Sequence, residues 1–169
     1  MQGIREAQVG DVQGIAEIIV NAWQHAYDGI VDSRFPPSLL PKTFVSIMEK
    51  NLQEKREQIF VYESPGGRLE GFISGREDGA VRTNNPSYDA EIVGLYVRPD
   101  SQGRGIGTKL FKELTAYFRG GGRSRMIAWT LLGAKNNSFY VKQGGVARER
   151  KRIEIGGISY PGVGFSFEL

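Results

Sequence analysis

The chain has 169 residues, of which 40% are hydrophobic and 24% charged, the size and balance of one globular domain. It has no cysteine, which excludes a disulfide framework, a cysteine-based zinc site and a thiol nucleophile, and we expect no metal. A net charge of +3 does not argue for nucleic acid, and no apolar run reaches membrane-spanning length. We predict a single cytoplasmic domain over residues 1–169, with neither a membrane nor a nucleic acid as partner.

The first half of the chain predicts a strand, two helices and a hairpin. Residues 4–9 read as a short edge strand, and Asp11 as the N-cap of the first helix. A proline-rich elbow at 33–41 separates the two helices, and strands at 58–63 and 69–74 are joined by a glycine-containing turn. The apolar positions at helical spacing are Val12, Ile15, Ile19, Trp23 and Ala26 in the first helix, and Phe44, Ile47, Met48 and Leu52 in the second.

The second half alternates strands and helices. A polar loop at 78–89 leads into a strand at 90–97, which Pro99 ends because proline cannot donate to a sheet. A helix then begins near Ile106 and stops at three consecutive glycines. The order β-α-α-β-β-β-α-β-α-β-β predicts one mixed α/β domain and not a run of βαβ repeats. The remaining predicted elements are a strand at 126–132, a short helix at 135–143, and strands at 146–155 and 158–168.

The junction between the strand at 90–97 and the following helix carries three alternating glycines, Gly103, Gly105 and Gly107. Glycine lets the backbone approach a ligand, and the first amides of a helix, aided by its dipole, favour an anion such as pyrophosphate. Arg104 adds a candidate charge-assisted contact. The glycines alone are more typical of a flexible turn before an ordinary helix. Neither the dinucleotide fingerprint nor the nucleotide P-loop fits this spacing.

The whole segment from Glu91 to Phe111 resembles the acetyl-CoA-binding core motif of the GNAT superfamily of N-acetyltransferases. The shared anchors are an apolar strand, the turn Val97-Arg98-Pro99, and the run Gln102-Gly103-Arg104-Gly105-Ile106-Gly107 before a helix. The resemblance implies direct transfer of an acetyl group from acetyl-CoA to a primary amine of a small molecule. It also implies a mostly antiparallel sheet flanked by helices, with a splayed central strand that we expect to bulge at Gly94.

The same resemblance implies the cofactor contacts. Backbone groups of Leu95, Tyr96 and Val97 would hold the pantetheine arm. The pyrophosphate would lie on the backbone amides of Gln102, Gly103, Arg104, Gly105, Ile106, Gly107 and Thr108. A second signature, from Phe139 to Gly145, is similar to the family's Phe-Tyr motif. The asparagine that commonly precedes it would fall at Ala134, so Asn136 or its neighbour Asn137 is expected to take that contact.

The chemistry requires a base and an acid. An alkyl amine has a pKa of about 10.4 and must lose a proton before it attacks. We predict Glu91 as the base, directly or through water, with a solvent-facing carboxylate as the alternative. Tyr140 is predicted, by the resemblance, to protonate the departing thiolate, with simple aromatic packing as the alternative. His25, near the end of the first helix, is better explained by the helix dipole.

The acceptor is the open question. Tyr27, Asp28, Phe35 and the loop at 78–89 are expected to line the acceptor side. A protein or tRNA-linked amine is the alternative substrate, with the basic run at 148–152 as its docking face, although charges that blunt an edge strand explain that run more simply. A non-catalytic module that senses acetyl-CoA is the third possibility. A homodimer stays open.

Overall fold

The structure, a computed structural model, describes residues 3–31, 41–77, 81 and 85–169, with only the backbone for residues 24 and 41–44. Within this part of the chain, the order of helices and strands follows the sequence prediction. They are β1 (Gly3–Glu6), α1 (Val12–Tyr27), α2 (Pro41–Gln53), β2 (Gln58–Glu63), β3 (Leu69–Glu77), β4 (Ala90–Val97), α3 (Ile106–Gly120), β5 (Arg125–Leu131), α4 (Asn137–Lys142), β6 (Val146–Ile155) and β7 (Ile158–Glu168).

The strands form one seven-stranded sheet in the order β1-β2-β3-β4-β5-β7-β6. All neighbours are antiparallel except β4 and β5, which are parallel. Helices α1 and α2 cover one face, and α3 and α4 pack on the other. The predicted fold class, a mixed and mostly antiparallel α/β domain flanked by helices, is therefore confirmed.

Two apolar clusters hold the helices to the sheet. The larger lies under α3 and α4, and includes Ile73, Leu110, Leu114, Phe118, Met126, Phe165 and Phe167. The smaller lies under α1 and α2, and includes Ile15, Ile18, Met48, Ile59, Val61 and Phe72. The helical spacing of these side chains places one apolar stripe of each helix on the sheet, where burial removes it from water.

The central feature of the sheet is the short contact between β4 and β5. These strands pair only from Ala90 with Met126 to Ile92 with Ala128. On its other side, β4 remains paired with β3 as far as Val97. The described pairings therefore leave the β5-facing edge of residues 93–97 without a strand partner, and the sheet opens into a V. The predicted splay of the central strand is confirmed.

The bulge in β4 is at Val93 and not at Gly94, so that prediction was one residue off. Gly94 pairs with Ser74 and Ile92 with Gly75, which leaves Val93 as the extra residue. Close packing instead requires a glycine at Gly75, which lies on β3 opposite Ile92. A Cβ there would lie 2.6 Å from the Phe118 ring and 2.9 Å from Leu114, so a side chain would push α3 off the sheet.

Several predicted boundaries differ from the structure: β3 runs on to Glu77, and β5 begins and ends one residue earlier than predicted. β1 ends at Glu6, and Val9 begins a single 3-10 turn. Asp11 precedes α1 but makes no side-chain cap, because its carboxylate accepts hydrogen bonds from Arg5 at 2.7 and 2.9 Å and from the Gln8 amide. The short helix α4 begins two residues later than predicted and ends one residue earlier.

Candidate active site

A cavity of about 440 Å³ opens where β4 and β5 separate. Its walls come from the second half of β4, the start of α3, α4 and the end of α1. The lining residues are His25, Ala26, Leu95, Val97, Ser101, Gln102, Gly103, Gly105, Ile106, Gly107, Thr108, Lys135, Asn136, Phe139, Tyr140, Lys142 and Gln143. The cavity thus brings together every predicted cofactor-binding residue except Tyr96 and Arg104.

The glycine loop has the backbone shape that an anion site requires. Gly103 and Gly105 have φ values of 76° and 77°, a region that side chains strongly disfavour. The first turn of α3 has amides without intrahelical partners, since helical bonding begins with the Lys109 amide on the Gly105 carbonyl at 3.0 Å. Gln102 Nε2 donates to the Val97 carbonyl at 3.1 Å and fixes the loop to the end of β4.

The charge of the cavity also suits an anion. Lys135 and Lys142 lie on its wall, and the described lining contains no aspartate or glutamate. The N-terminus of α3 adds the partial positive charge of the helix dipole. Gln143 Nε2 donates to Thr108 Oγ1 at 3.1 Å and ties α4 to α3 across the cavity. A polyphosphate therefore meets amides, ammonium groups and a dipole of favourable sign.

The side chain of Arg104 points away from the cavity. Its Nη1 atom lies 3.2 Å from Glu70 Oε1 and 3.4 Å from Glu70 Oε2, on β3. While the guanidinium is paired with Glu70, only the backbone of Arg104 is placed to contact a ligand at the loop. A direct contact between this guanidinium and phosphate stays a prediction.

Tyr96 turns its side chain to the α1 face of the sheet. It lies opposite Phe72 on β3, with ring centroids 5.9 Å apart, and its hydroxyl lies near Tyr27 at the end of α1. Burial raises the pKa of Tyr96, and the neighbouring hydroxyls of Tyr27 and Tyr140 raise it further. Tyr96 can therefore offer the cavity its backbone, while its hydroxyl belongs to a cluster of three tyrosines.

Tyr140 reaches this cluster from the opposite side of the sheet. It is 5% exposed, lines the cavity and packs against Phe139, Phe165 and Phe167. Burial raises the pKa of Tyr140 well above its usual value, and the nearby Tyr27 adds to this effect. The hydroxyl therefore keeps its proton at neutral pH, as a proton donor must.

Asn136 is the asparagine that lines the cavity. Its Oδ1 atom accepts a hydrogen bond from Thr130 Oγ1 at 2.8 Å, which orients the side chain. Asn137 instead donates to the Leu131 carbonyl at 2.9 Å and supports the turn before α4. Ala134, at the family's usual position, is buried. Asn136 is thus the better placed of the two predicted alternatives.

Glu91 is 1% exposed, so the alternative of a solvent-facing carboxylate is wrong. It lies next to the last β4–β5 pair and opposite Arg76 of β3, whose Nη2 atom lies 2.6 Å from Glu57. Glu91 is not among the residues that line the cavity. The role of Glu91 as the base, directly or through water, therefore stays a prediction.

His25 is exposed in the last turn of α1, as expected, and forms part of the cavity wall. Of the predicted acceptor-side residues, Tyr27 lies near Tyr96 and Asp28 is exposed. Phe35 falls outside the described residues, as do residues 78–80 and 82–84 of the predicted loop at 78–89. Sequence reasoning missed Ser101, Lys135 and Gln143 as wall residues, because nothing in their local pattern indicates which way they face.

Comparison with known proteins agrees with this geometry. The family model described as the acetyltransferase (GNAT) family matches residues 17–144, well over half of the chain. The chain belongs to the GNAT acetyltransferase family. A Bacillus subtilis (strain 168) protein, the uncharacterized N-acetyltransferase YuaI, is 26% identical over 99% of this chain and 93% of its own length.

Two solved acetyltransferase structures share the whole fold. The PaiA N-acetyltransferase from Thermoplasma acidophilum, in complex with coenzyme A, has a TM-score of 0.76 at 18% identity, covering 98% of each chain. YncA from Salmonella typhimurium, a putative acetyltransferase solved with acetyl-CoA, has a TM-score of 0.70 at 22% identity, covering 99% of this chain and 94% of its own.

This GNAT protein is an acetyl-CoA-dependent acetyltransferase, and its cavity fits the cosubstrate. The glycine loop presents amides without side-chain obstruction, and lysines stand on the wall. No group of potential metal ligands occurs among the described residues, and none of the described helices is long and apolar enough to cross a membrane.

Proposed function

We propose that this GNAT enzyme acetylates the primary amine of a small molecule, with Tyr140 as the proton donor. The observation that carries the proposal is the position of Tyr140, which lines the cavity where β4 and β5 separate, together with the glycine loop. Tyr140 approaches from the α4 side, and Tyr27 with Tyr96 from the α1 side. The groups for both ends of an acyl transfer are therefore close together.

The cofactor side follows from the loop and β4. Backbone amides from Gln102 to Thr108 would hold the pyrophosphate, and the free edge of Leu95, Tyr96 and Val97 would pair with the amide-containing pantetheine arm. Asn136 supports the same arm from α4. Acetyl-CoA supplies an activated acyl group, and this wall of the cavity keeps its thioester near Tyr140, where the sulfur can take a proton as it leaves.

The acceptor side follows from the tyrosine pair. Tyr27 lies near Tyr96, so the end of α1 borders β4 on this side. Trp23 packs edge-on against Tyr27 at 5.3 Å and keeps its ring in place. Phenol oxygens accept hydrogen bonds from an amine, and aromatic faces attract its charged form. An alkyl amine suits these groups.

Deprotonation of the amine is assigned to Glu91 acting through water. The carboxylate is buried one residue before the strands separate, and its strand neighbour Arg76 brings a guanidinium to the same face. Because Glu91 does not line the cavity, an intervening water would carry the proton.

A protein or tRNA acceptor is less well supported, because the basic strand makes local contacts. Arg152 donates to Ser159 at 2.8 and 2.7 Å, and Lys151 lies 4.1 Å from the centroid of the Trp129 ring. Arg150 donates to the Glu149 carbonyl. These contacts fit an edge strand protected by charge.

Release of CoA thiol with a panel of acceptors tests the proposal. Small primary amines should support turnover, and an N-terminal peptide or aminoacyl-tRNA should not. Tyr27→Phe should raise the KM for the amine several-fold while leaving the KM for acetyl-CoA unchanged. Turnover confined to peptide or tRNA substrates would contradict the small-molecule assignment.

A further inference from the structure

The ion pair between Arg104 and Glu70 lies behind the glycine loop. Arg104 sits between the two left-handed glycines of the loop, yet its side chain leaves the cavity and reaches β3. The Glu70 side chain is only 8% exposed, whereas that of Arg104 is 54% exposed. A buried carboxylate is costly unless it is paired, so Glu70 favours the loop conformation that brings Arg104 to it.

Glu70 is held firmly in place. It is the extra residue of a bulge, since Tyr62 pairs with Gly71 and Glu63 with Leu69. Its carbonyl accepts a hydrogen bond from the Arg98 amide at 2.9 Å, just before the loop. The Arg98 side chain donates to the Leu69 carbonyl at 2.8 Å. The start of β3 is therefore a rigid platform beneath the loop.

We propose that Glu70 is a positioning residue which, by pairing with Arg104, holds the backbone of the loop ready for pyrophosphate. The amides of Gly103 and Gly105 bind the pyrophosphate, and Arg104 affects this binding only by fixing the position of the loop. A preformed loop binds more tightly because it loses less conformational freedom on binding. The inference rests on the proposed placement of the pyrophosphate at this loop.

An exchange mechanism makes the opposite prediction. If Arg104 left Glu70 for the phosphate, Glu70 would compete with the ligand for the same guanidinium. Removing the charge of Glu70 would then release Arg104 and tighten CoA binding. The positioning role requires that it weaken CoA binding. The sign of the effect of Glu70→Gln therefore separates the two mechanisms.

The experiment is calorimetric titration of CoA into wild type, Glu70→Gln, Arg104→Ala and the double variant, at low and high salt. Each single change should weaken CoA binding about fivefold, and the double variant should lose no more than either single one. In the positioning mechanism Arg104 does not touch phosphate, so the salt dependence should stay that of wild type. Exchange of the backbone amides at 102–108 without ligand should be faster in both single variants.

The matched control is Arg68→Ala, which breaks a more exposed ion pair with Asp100 at 2.9 Å between the same two segments. It should leave CoA affinity and loop exchange unchanged. Tighter or unchanged CoA binding by Glu70→Gln, additive losses, or a flatter salt dependence in Arg104→Ala alone would overturn the proposal. Gly105→Val tests the loop separately: normal CoA affinity there would refute the pyrophosphate placement itself.

Discussion

The ring of Tyr140 stacks on that of Phe165, with centroids 5.5 Å apart and planes inclined by 28°. Phenylalanine at position 140 would keep this contact, so Tyr140→Phe removes the hydroxyl and little else. We expect turnover to fall about 100-fold, the low end of general-acid catalysis, because a thiolate is already a fair leaving group. CoA affinity should not change. Steady-state rates within twofold of wild type would show that Tyr140 only packs.

The raised pKa of Tyr140 also predicts how stability depends on pH. An unfolded tyrosine ionises near pH 10, but the buried one resists ionisation. The stabilisation is complete below about pH 10 and is lost as the pH rises toward the folded pKa, since the unfolded chain then releases protons that the folded one retains. Urea denaturation at pH 8 and pH 11 should show a smaller loss of unfolding free energy in Tyr140→Phe than in wild type.

Gly105→Ala should weaken CoA binding at least tenfold while the protein still folds. A left-handed alanine costs about 1 kcal/mol or more, but its Cβ would meet no atom within 4 Å, so the strain falls on the loop alone. Gly120→Ala, at the other end of α3, is the control and should bind CoA normally. A folded Gly105→Ala variant with wild-type affinity would show that the loop does not bind CoA.

Glu91→Gln should slow turnover most near neutral pH, where few amine molecules are neutral. At high pH the free amine becomes plentiful, and much of the lost rate should return. Rate profiles from pH 6 to pH 10 would test this. An equal loss at every pH would indicate a structural role for this buried residue, and the melting temperature of the variant would reveal it.

Local pattern was enough to predict much of the fold. The limits of β4, β6 and β7 match the prediction, because apolar runs and alternation are bounded there by proline and glycine. The limits of β1 were missed because Val9 has strand propensity but no strand beside it. Tertiary pairing decides such cases.

Of the site, the sequence predicted only the residues that belong to the motif. The cavity contains Gln102, Gly105 and Tyr140 together, as the motif implied. The direction of Arg104 depends on a bulge at Glu70, 34 positions away in sequence, which shifts β3 so that a carboxylate lies behind the loop. No local spacing encodes such a contact, because strand register fixes it.

Because β4 and β5 pair over so few residues, a bound cosubstrate should also stabilise the fold. Three residue pairs are the only described ladder between the β1–β4 and β5–β7 halves of the sheet. A ligand that contacts both sides of the opening between β4 and β5 would hold the two halves of the sheet together. Saturation at about 100 times the Kd adds about 2.7 kcal/mol to the unfolding free energy. The accompanying slowing of amide exchange should appear on β4 and β5 together. The enzyme should unfold most readily when no cosubstrate is bound, between turnovers.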